Sequence, residues 1–187
     1  QRLAGMGCEH LPAQIKPQAE RLLASMRTRF ESTSEITAHQ IASGKLNDAI
    51  QPADCCISPS DFGFHNAISS TAGVKFFDFE FSGWDDPTKT ALDFILQPRV
   101  PVKQRLSPLL ASLNVKQSHF FKKRYEALMP ILHLKWSCII LSVLNPVRLK
   151  EIVLLGSSNE LDNLISERII AATSHLQRSS ICPIMPA

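Results

Sequence analysis

The chain has 187 residues, 44% of them hydrophobic, and its 20 Lys and Arg against 17 Asp and Glu leave a net charge of +3. This length and apolar content allow one domain with a sizeable core, and no dense basic patch interleaved with aromatics marks a nucleic-acid binder. Five cysteines, Cys8, Cys55, Cys56, Cys138 and Cys182, include no Cys-x-x-Cys pair, so neither a disulfide framework nor a zinc site is indicated and reduced cytoplasmic thiols are expected.

Gln1 to Gly5 leads into no apolar run, so no signal peptide is read there, and a chain that begins with Gln reads as a processed, excised or incomplete product. From Pro17 the pattern turns helical: Ala19, Leu22, Leu23, Met26 and Phe30 share a face, with Glu20, Arg21, Arg27 and Arg29 on a solvated one. Ser32 to Ala53 reads as a mixed connector with a short helix around Ile36 to Ile41, and Asp54 to Ile57 as a short strand in which Cys55 and Cys56 pack. Ala67-Ile68 and Val74 to Phe77 flank Ser-Ser-Thr-Ala-Gly73, which predicts a hairpin. Pro87 opens a helix that Asp85 and Asp86 cap, and Pro98 and Pro101 end it.

Further on, Leu106 to Leu113 reads as a short helix. Gln117 to Leu128 comes next, with Phe120, Phe121, Tyr125 and Leu128 on one side and Lys122, Lys123 and Arg124 solvated on the other. Pro130 is expected to break this helix from Ile131 to Leu144, a core helix apolar nearly all round that is too short to span a bilayer. Asn145-Pro146 ends it. Ser157-Ser-Asn-Glu160 matches a capping box for a last helix carrying Leu161, Leu164, Ile165, Ile169, Ala172 and Leu176. The tail from Ser179 is expected to be loosely ordered.

The chemistry lies between Ser58 and Phe94. Asp61 and Asn66 in Ser-Pro-Ser-Asp-Phe-Gly-Phe-His-Asn66 are five apart, the interval at which a protein-kinase catalytic loop sets its base and its metal-binding amide. A short rigid loop can bring the two onto one phosphoryl group. The hairpin then returns the chain so that Asp78 supplies a second metal carboxylate, and hard oxygens at Asn66 and Asp78 suit Mg²⁺. Asp61-Phe62-Gly63 spells the kinase metal motif, but no Asp-x₄-Asn pair precedes it, which leaves Asp78 the better ligand. His65 orients the loop through a backbone hydrogen bond or touches phosphate or substrate. Glu80, sharing a strand face with Asp78, tunes the metal shell, points at substrate or pairs with a cation. Asp93 lies on an apolar helix face and needs a partner.

The Phe77-Asp-Phe-Glu-Phe-Ser-Gly-Trp-Asp-Asp-Pro87 run, with Asp93 in Leu-Asp-Phe94 downstream, resembles the catalytic core of the aminoglycoside phosphotransferase and choline kinase-like family. The resemblance implies an α+β, mainly helical fold: the C-terminal lobe of a protein-kinase-like fold with a small β-hairpin at the catalytic loop. It also implies Asp61 as catalytic base, Asn66 and Asp78 as metal and nucleotide-phosphate ligands, and Asp93 as a brace for the loop. Pro59 and Ser60 stand where the family has His, often followed by Gly.

Residues 1–187 thus read as a partial phosphotransferase domain. Nothing from Gln1 to Asp54 offers a strand-rich nucleotide lobe, and Gly5-Met6-Gly7 follows no strand. The expectation is an ATP-dependent (or other NTP-dependent), Mg²⁺-dependent, cytoplasmic phosphotransferase acting on a small-molecule hydroxyl. Its N-terminal lobe would be supplied in cis, the isolated chain would be inactive, and neither nucleic acid nor membrane would be a partner. The alternatives are a non-catalytic kinase-like module that binds a nucleotide or protein partner, and, lower, a metal-dependent hydrolase.

Overall fold

In a computed structural model, residues 3–46, 49–102, 119–153 and 158–178 are described. They form five α-helices, α1 (Lys16–Ala42), α2 (Pro87–Leu96), α3 (His119–Ile140), α4 (Pro146–Val153) and α5 (Ser158–Arg178), and four short strands. Strands β1 (Cys56–Ser58) and β4 (Gly83–Asp85) pair antiparallel, as do β2 (Ala67–Ser70) and β3 (Gly73–Phe76). The mainly helical class with small antiparallel hairpin sheets is therefore as read from sequence.

The chain divides into two compact units, one of residues 1–35 with 133–187 and one of residues 36–132, with the divisions falling inside α1 and α3. The first unit is built on apolar stripes at helical spacing. Ala19, Leu22, Leu23 and Met26 of α1, Leu134 and Cys138 of α3, and Ile165, Ile169, Ala172 and Leu176 of α5 are all buried in one core. Leu141, Val143 and Leu144, in a 3₁₀ turn that continues α3, join it, as do Met6, Cys8, Leu11 and Ile15. Asn145 ends this run and caps α4, accepting from Val147 N at 2.9 Å. Arg29 is not merely solvated: its Nη1 donates to Leu176 O at 2.8 Å, near the carbonyl-rich end of α5.

Several expectations fail for physical reasons. Helix α1 runs unbroken to Ala42, taking in the short helix expected at Ile36 to Ile41 and the first part of the segment read as a connector, and Phe30, placed on its apolar stripe, is 56% exposed. Pro130 lies inside α3 and does not end it. Its missing N–H costs the helix about 3 kcal/mol, but the flanking Ala127, Met129, Leu132 and Leu134 are buried and tertiary packing holds the turn. The helical run Phe121–Leu144 is consequently long and apolar enough to cross a membrane by length and composition, with 67% of its most apolar window buried inside the protein. The stretch is therefore not too short for a bilayer; its burial is what a core helix shows. The helix read at 106–113, the capping box at 157–160, Phe120 and the tail from 179 lie outside the described residues or side chains.

In the second unit, local signals were enough to place the elements around the candidate site. Asp86 caps α2, its Oδ1 accepting from Thr88 N at 2.7 Å, with Pro87 at the first helical position. Asp85 Oδ1 accepts from Asp86 N at 2.8 Å. The β2–β3 hairpin closes through Thr71-Ala72, with Ser70 opposite Gly73. Gly73 takes φ +109°, which only glycine adopts without strain. The Ser70 hydroxyl braces this turn, accepting from Ala72 N and donating to Gly73 O, each at 3.2 Å.

Candidate active site

Residues 58–66 leave β1 through a tight turn. Asp61 N donates to Pro59 O at 2.9 Å and Ser60 N to the buried Ser58 hydroxyl at 3.1 Å. This bends Ser60 to φ +69°, a left-handed conformation that costs a residue with a Cβ about 1–2 kcal/mol.

Four aromatic rings anchor the rest of the loop. Phe62 and Phe64 pack against Phe94 of α2 at 4.7 and 5.1 Å between centroids, and against Phe76 of β3 at 5.1 and 6.0 Å. Because Phe62 and Phe64 are apolar in an otherwise polar loop, packing these half-buried rings fixes the loop backbone on the hairpin and the helix. Gly63, between them, leaves no room for a side chain: a Cβ would lie 2.6 Å from His65 Nδ1 and 2.8 Å from Gln97 Cγ. Gln97 is buried and holds the chain past α2 by accepting from Val100 N at 3.0 Å and donating to Val100 O.

On this platform Asp61, His65 and Asn66 form one hydrogen-bonded knot. Asn66, 7% exposed, donates Nδ2 to Asp61 O at 3.0 Å and to Asp61 Oδ2 at 3.4 Å. His65 Nε2 stands 3.2 Å from Asp61 Oδ1, its side chain only 4% exposed while that of Asp61 is 55% exposed. The carboxylate is thus gripped at both oxygens from the protein side and open to solvent on the other. His65 acts on the Asp61 side chain rather than through the backbone hydrogen bond expected for it.

The hairpin carries the chain back to this knot: Phe77 N donates to Asn66 O at 3.0 Å, so Asp78 is the next residue along. Asp78 is exposed and takes φ +64°, the second non-glycine residue in the left-handed region. β3 ends at Phe76, so Glu80, also exposed, lies outside the strand and does not share a strand face with Asp78.

Asp93 is 1% exposed inside α2, with Lys89 Nζ 3.5 Å from its Oδ2. Lys89 also reaches Asp85 Oδ2. Burial works to lower the pKa of Lys89, but its hydrogen bond to Asp85 and the charges of Asp93 and Asp85 outweigh this and raise it. Arg124 of α3, read as solvated, is 11% exposed at its side chain and donates Nε to Asp86 Oδ2 at 2.6 Å, joining α3 to the cap of α2. On β1 the Cys56 thiol meets Thr90 Oγ1 at 3.6 Å, and burial pushes its pKa up. That is a packing thiol rather than a reactive one.

Sequence reasoning missed Phe62, Phe64, Gly63, Gln97 and Arg124. The alternation Phe62-Gly63-Phe64 was the available signal for the first three; nothing local could pair Arg124 with Asp86.

The donor chemistry fits Mg²⁺. With Asn66 Nδ2 engaged by Asp61, Oδ1 is the amide atom left for a cation, and the exposed Asp78 follows Phe77, whose N–H is bonded to Asn66 O. Among the described residues no three His, Cys, Asp or Glu converge as a metal cluster. An Asn and Asp oxygen pair completed by water and phosphate is nonetheless the kind of set this ion accepts. Comparison with protein families, curated proteins and solved structures found no match.

Proposed function

We propose that this chain is the C-terminal catalytic lobe of a kinase-like phosphotransferase that moves a phosphoryl group from ATP or another NTP to a small-molecule hydroxyl. The observation that carries the reading is the grip of His65 and Asn66 on an accessible Asp61, with Asp78 one residue past the Phe77–Asn66 hydrogen bond. Asp61 would accept the proton of the attacking hydroxyl, its exposed side leaving room for the acceptor. His65 holds Asp61 Oδ1 in place, and Asn66 does the same at Oδ2 while presenting its amide oxygen to the cation. Asp78 supplies the second protein oxygen. Bound there, Mg²⁺ would neutralise charge on the nucleotide phosphates. The strand-rich nucleotide lobe that this reaction calls for would come from the same polypeptide.

In the full natural polypeptide, Asp61→Asn should abolish phosphoryl transfer while leaving Mg·ATP affinity within a few-fold, and unaltered turnover would remove Asp61 from the mechanism. Asp78→Ala should weaken metal-dependent nucleotide binding; equal binding would exclude Asp78 as a ligand.

A second reading, a non-catalytic module that binds a nucleotide or protein partner, is supported by exposed apolar residues around the same strands. Ile57 and Trp84, paired across β1 and β4, are 70% and 74% exposed, and Phe81 is 75% exposed. Single-turnover transfer to an acceptor separates the two readings, since only the enzyme yields a phosphorylated product.

A further inference from the structure

Two imidazoles sit in the interior of the first unit. His133 on α3 and His175 on α5 are 4% and 3% exposed, with ring centroids 4.7 Å apart. His133 Nδ1, His175 Nε2 and the hydroxyl of Ser137, one turn along α3, are buried with no hydrogen-bond partner among the described residues. Buried polar atoms are rarely left so, and three in one unit require a physical reason.

A divalent cation held by the bare nitrogens is the first explanation to test, and the local charge disfavours it. The charged groups acting on His133 are Arg178 of α5 and Arg29 of α1, and those acting on His175 are His133 and Arg178. No carboxylate of the described residues is among them. The field that opposes a metal ion also opposes a proton. Burial, then Arg178, and more weakly Arg29 bring His133 down to about 4, although a hydrogen bond with the backbone of His175 works the other way. Burial, then His133 and Arg178, bring His175 down to about 3.

We propose that the His133–His175 pair is an acid-sensitive latch, keeping α5 in the core while both rings are neutral and releasing it when they take up protons. The geometry makes the response all-or-none. Protonating one ring in place would bury a cation under the charge of Arg178, and protonating both would set two cations with ring centroids 4.7 Å apart. Opening α5 instead lets water solvate both.

Linkage fixes the sign. Each imidazole has a lower pKa when folded than the ordinary value of 6.5. Its contribution is therefore present above pH 6.5 and is lost as the pH falls from there toward about 4 for His133 and about 3 for His175. Two protons taken up on opening shift the closed-to-open ratio by about a hundredfold per pH unit in that window. Release would uncover Ile165, Ile169, Ala172 and Leu176, now buried, a switchable apolar face.

Hydrogen exchange of the whole chain tests this, with rates corrected for the intrinsic pH effect. Between about pH 7.5 and 5.0, protection of α5 amides should fall at least about tenfold more than that of α2 amides. In His133→Leu/His175→Phe this difference should vanish. Equal losses in α2 and α5, or a full loss that persists in the double variant, would overturn the proposal. Should the double variant fail to fold, imidazole ¹⁵N shifts of the unaltered chain decide. Both rings should stay neutral until α5 amides lose protection, and rings that protonate while α5 remains protected would refute the latch.

Discussion

The Asp86 side chain does two jobs that substitution can separate. Its Oδ1 caps α2 by accepting from Thr88 N, and its Oδ2 meets Arg124, in a pair whose side chains are 7% and 11% exposed. Losing an N-cap costs about 1 kcal/mol. Removing one member of a buried ion pair costs roughly 3–5 kcal/mol, and the low end applies because Arg124 keeps some contact with water. Asp86→Ala should then destabilise the unit of residues 36–132 by about 4 kcal/mol, whereas Asp86→Ser, which keeps a capping oxygen, should cost about 3 kcal/mol. With a urea dependence of about 2 kcal/mol per molar, the alanine variant should unfold about 2 M earlier. Urea titration followed by circular dichroism measures both, and Asp86→Ala combined with Arg124→Met should cost less than the sum of the two single changes. An alanine variant within about 1 kcal/mol of the parent chain would show that the pair is not holding α2, as would strictly additive single changes.

Three further outcomes are expected from the same geometry. Ser60→Gly should stabilise the chain by about 1 kcal/mol in thermal or urea unfolding, because it relieves a left-handed serine at φ +69°; a loss of stability would mean that the Ser60 side chain matters more than its backbone. Gly63→Ala should destabilise by about 1–3 kcal/mol, since the added methyl meets the His65 ring and Gln97 at under 3 Å, and a neutral result would show that the loop is slack. Lys89, whose pKa is raised because Asp85 and Asp93 outweigh the effect of burial, stabilises the fold fully below its ordinary value of 10.5 and loses that contribution as the pH climbs above it. Lys89→Met should therefore flatten the alkaline limb of the stability profile, and an unchanged limb would show that Lys89 does not shape it.

What the sequence made legible was local. Asp86-Pro87 is a cap and first turn within two residues, and Ser70 to Gly73 is a hairpin turn within four, so each carries its own signal. The Asp61 and Asn66 interval was readable for the same reason, and the structure joins the two side chains. Apart from the exposed C-terminal half of α1, the misreadings lie where distant packing decides. The polar C-terminal half of α1 shows no apolar stripe, yet the helix continues through it to Ala42. Pro130 stays helical because its flanking residues are buried. Arg124 looked solvated in a run of three basic residues, and its partner is 38 positions away. The His133–His175 pair, separated by 42 positions and lacking any local motif, is invisible to periodicity.

A metal–nucleotide site at this loop is tested most directly by replacing Mg²⁺ with paramagnetic Mn²⁺ in the full natural polypeptide with ATP and following line broadening by NMR. Strong broadening of the Asn66 side-chain amide and the Asp78 backbone amide is expected when nucleotide and Mn²⁺ are both present, with the effect lost in Asp78→Ala. Sharp signals at both residues, or broadening that Asp78→Ala leaves unchanged, would contradict metal and nucleotide binding by Asn66 and Asp78.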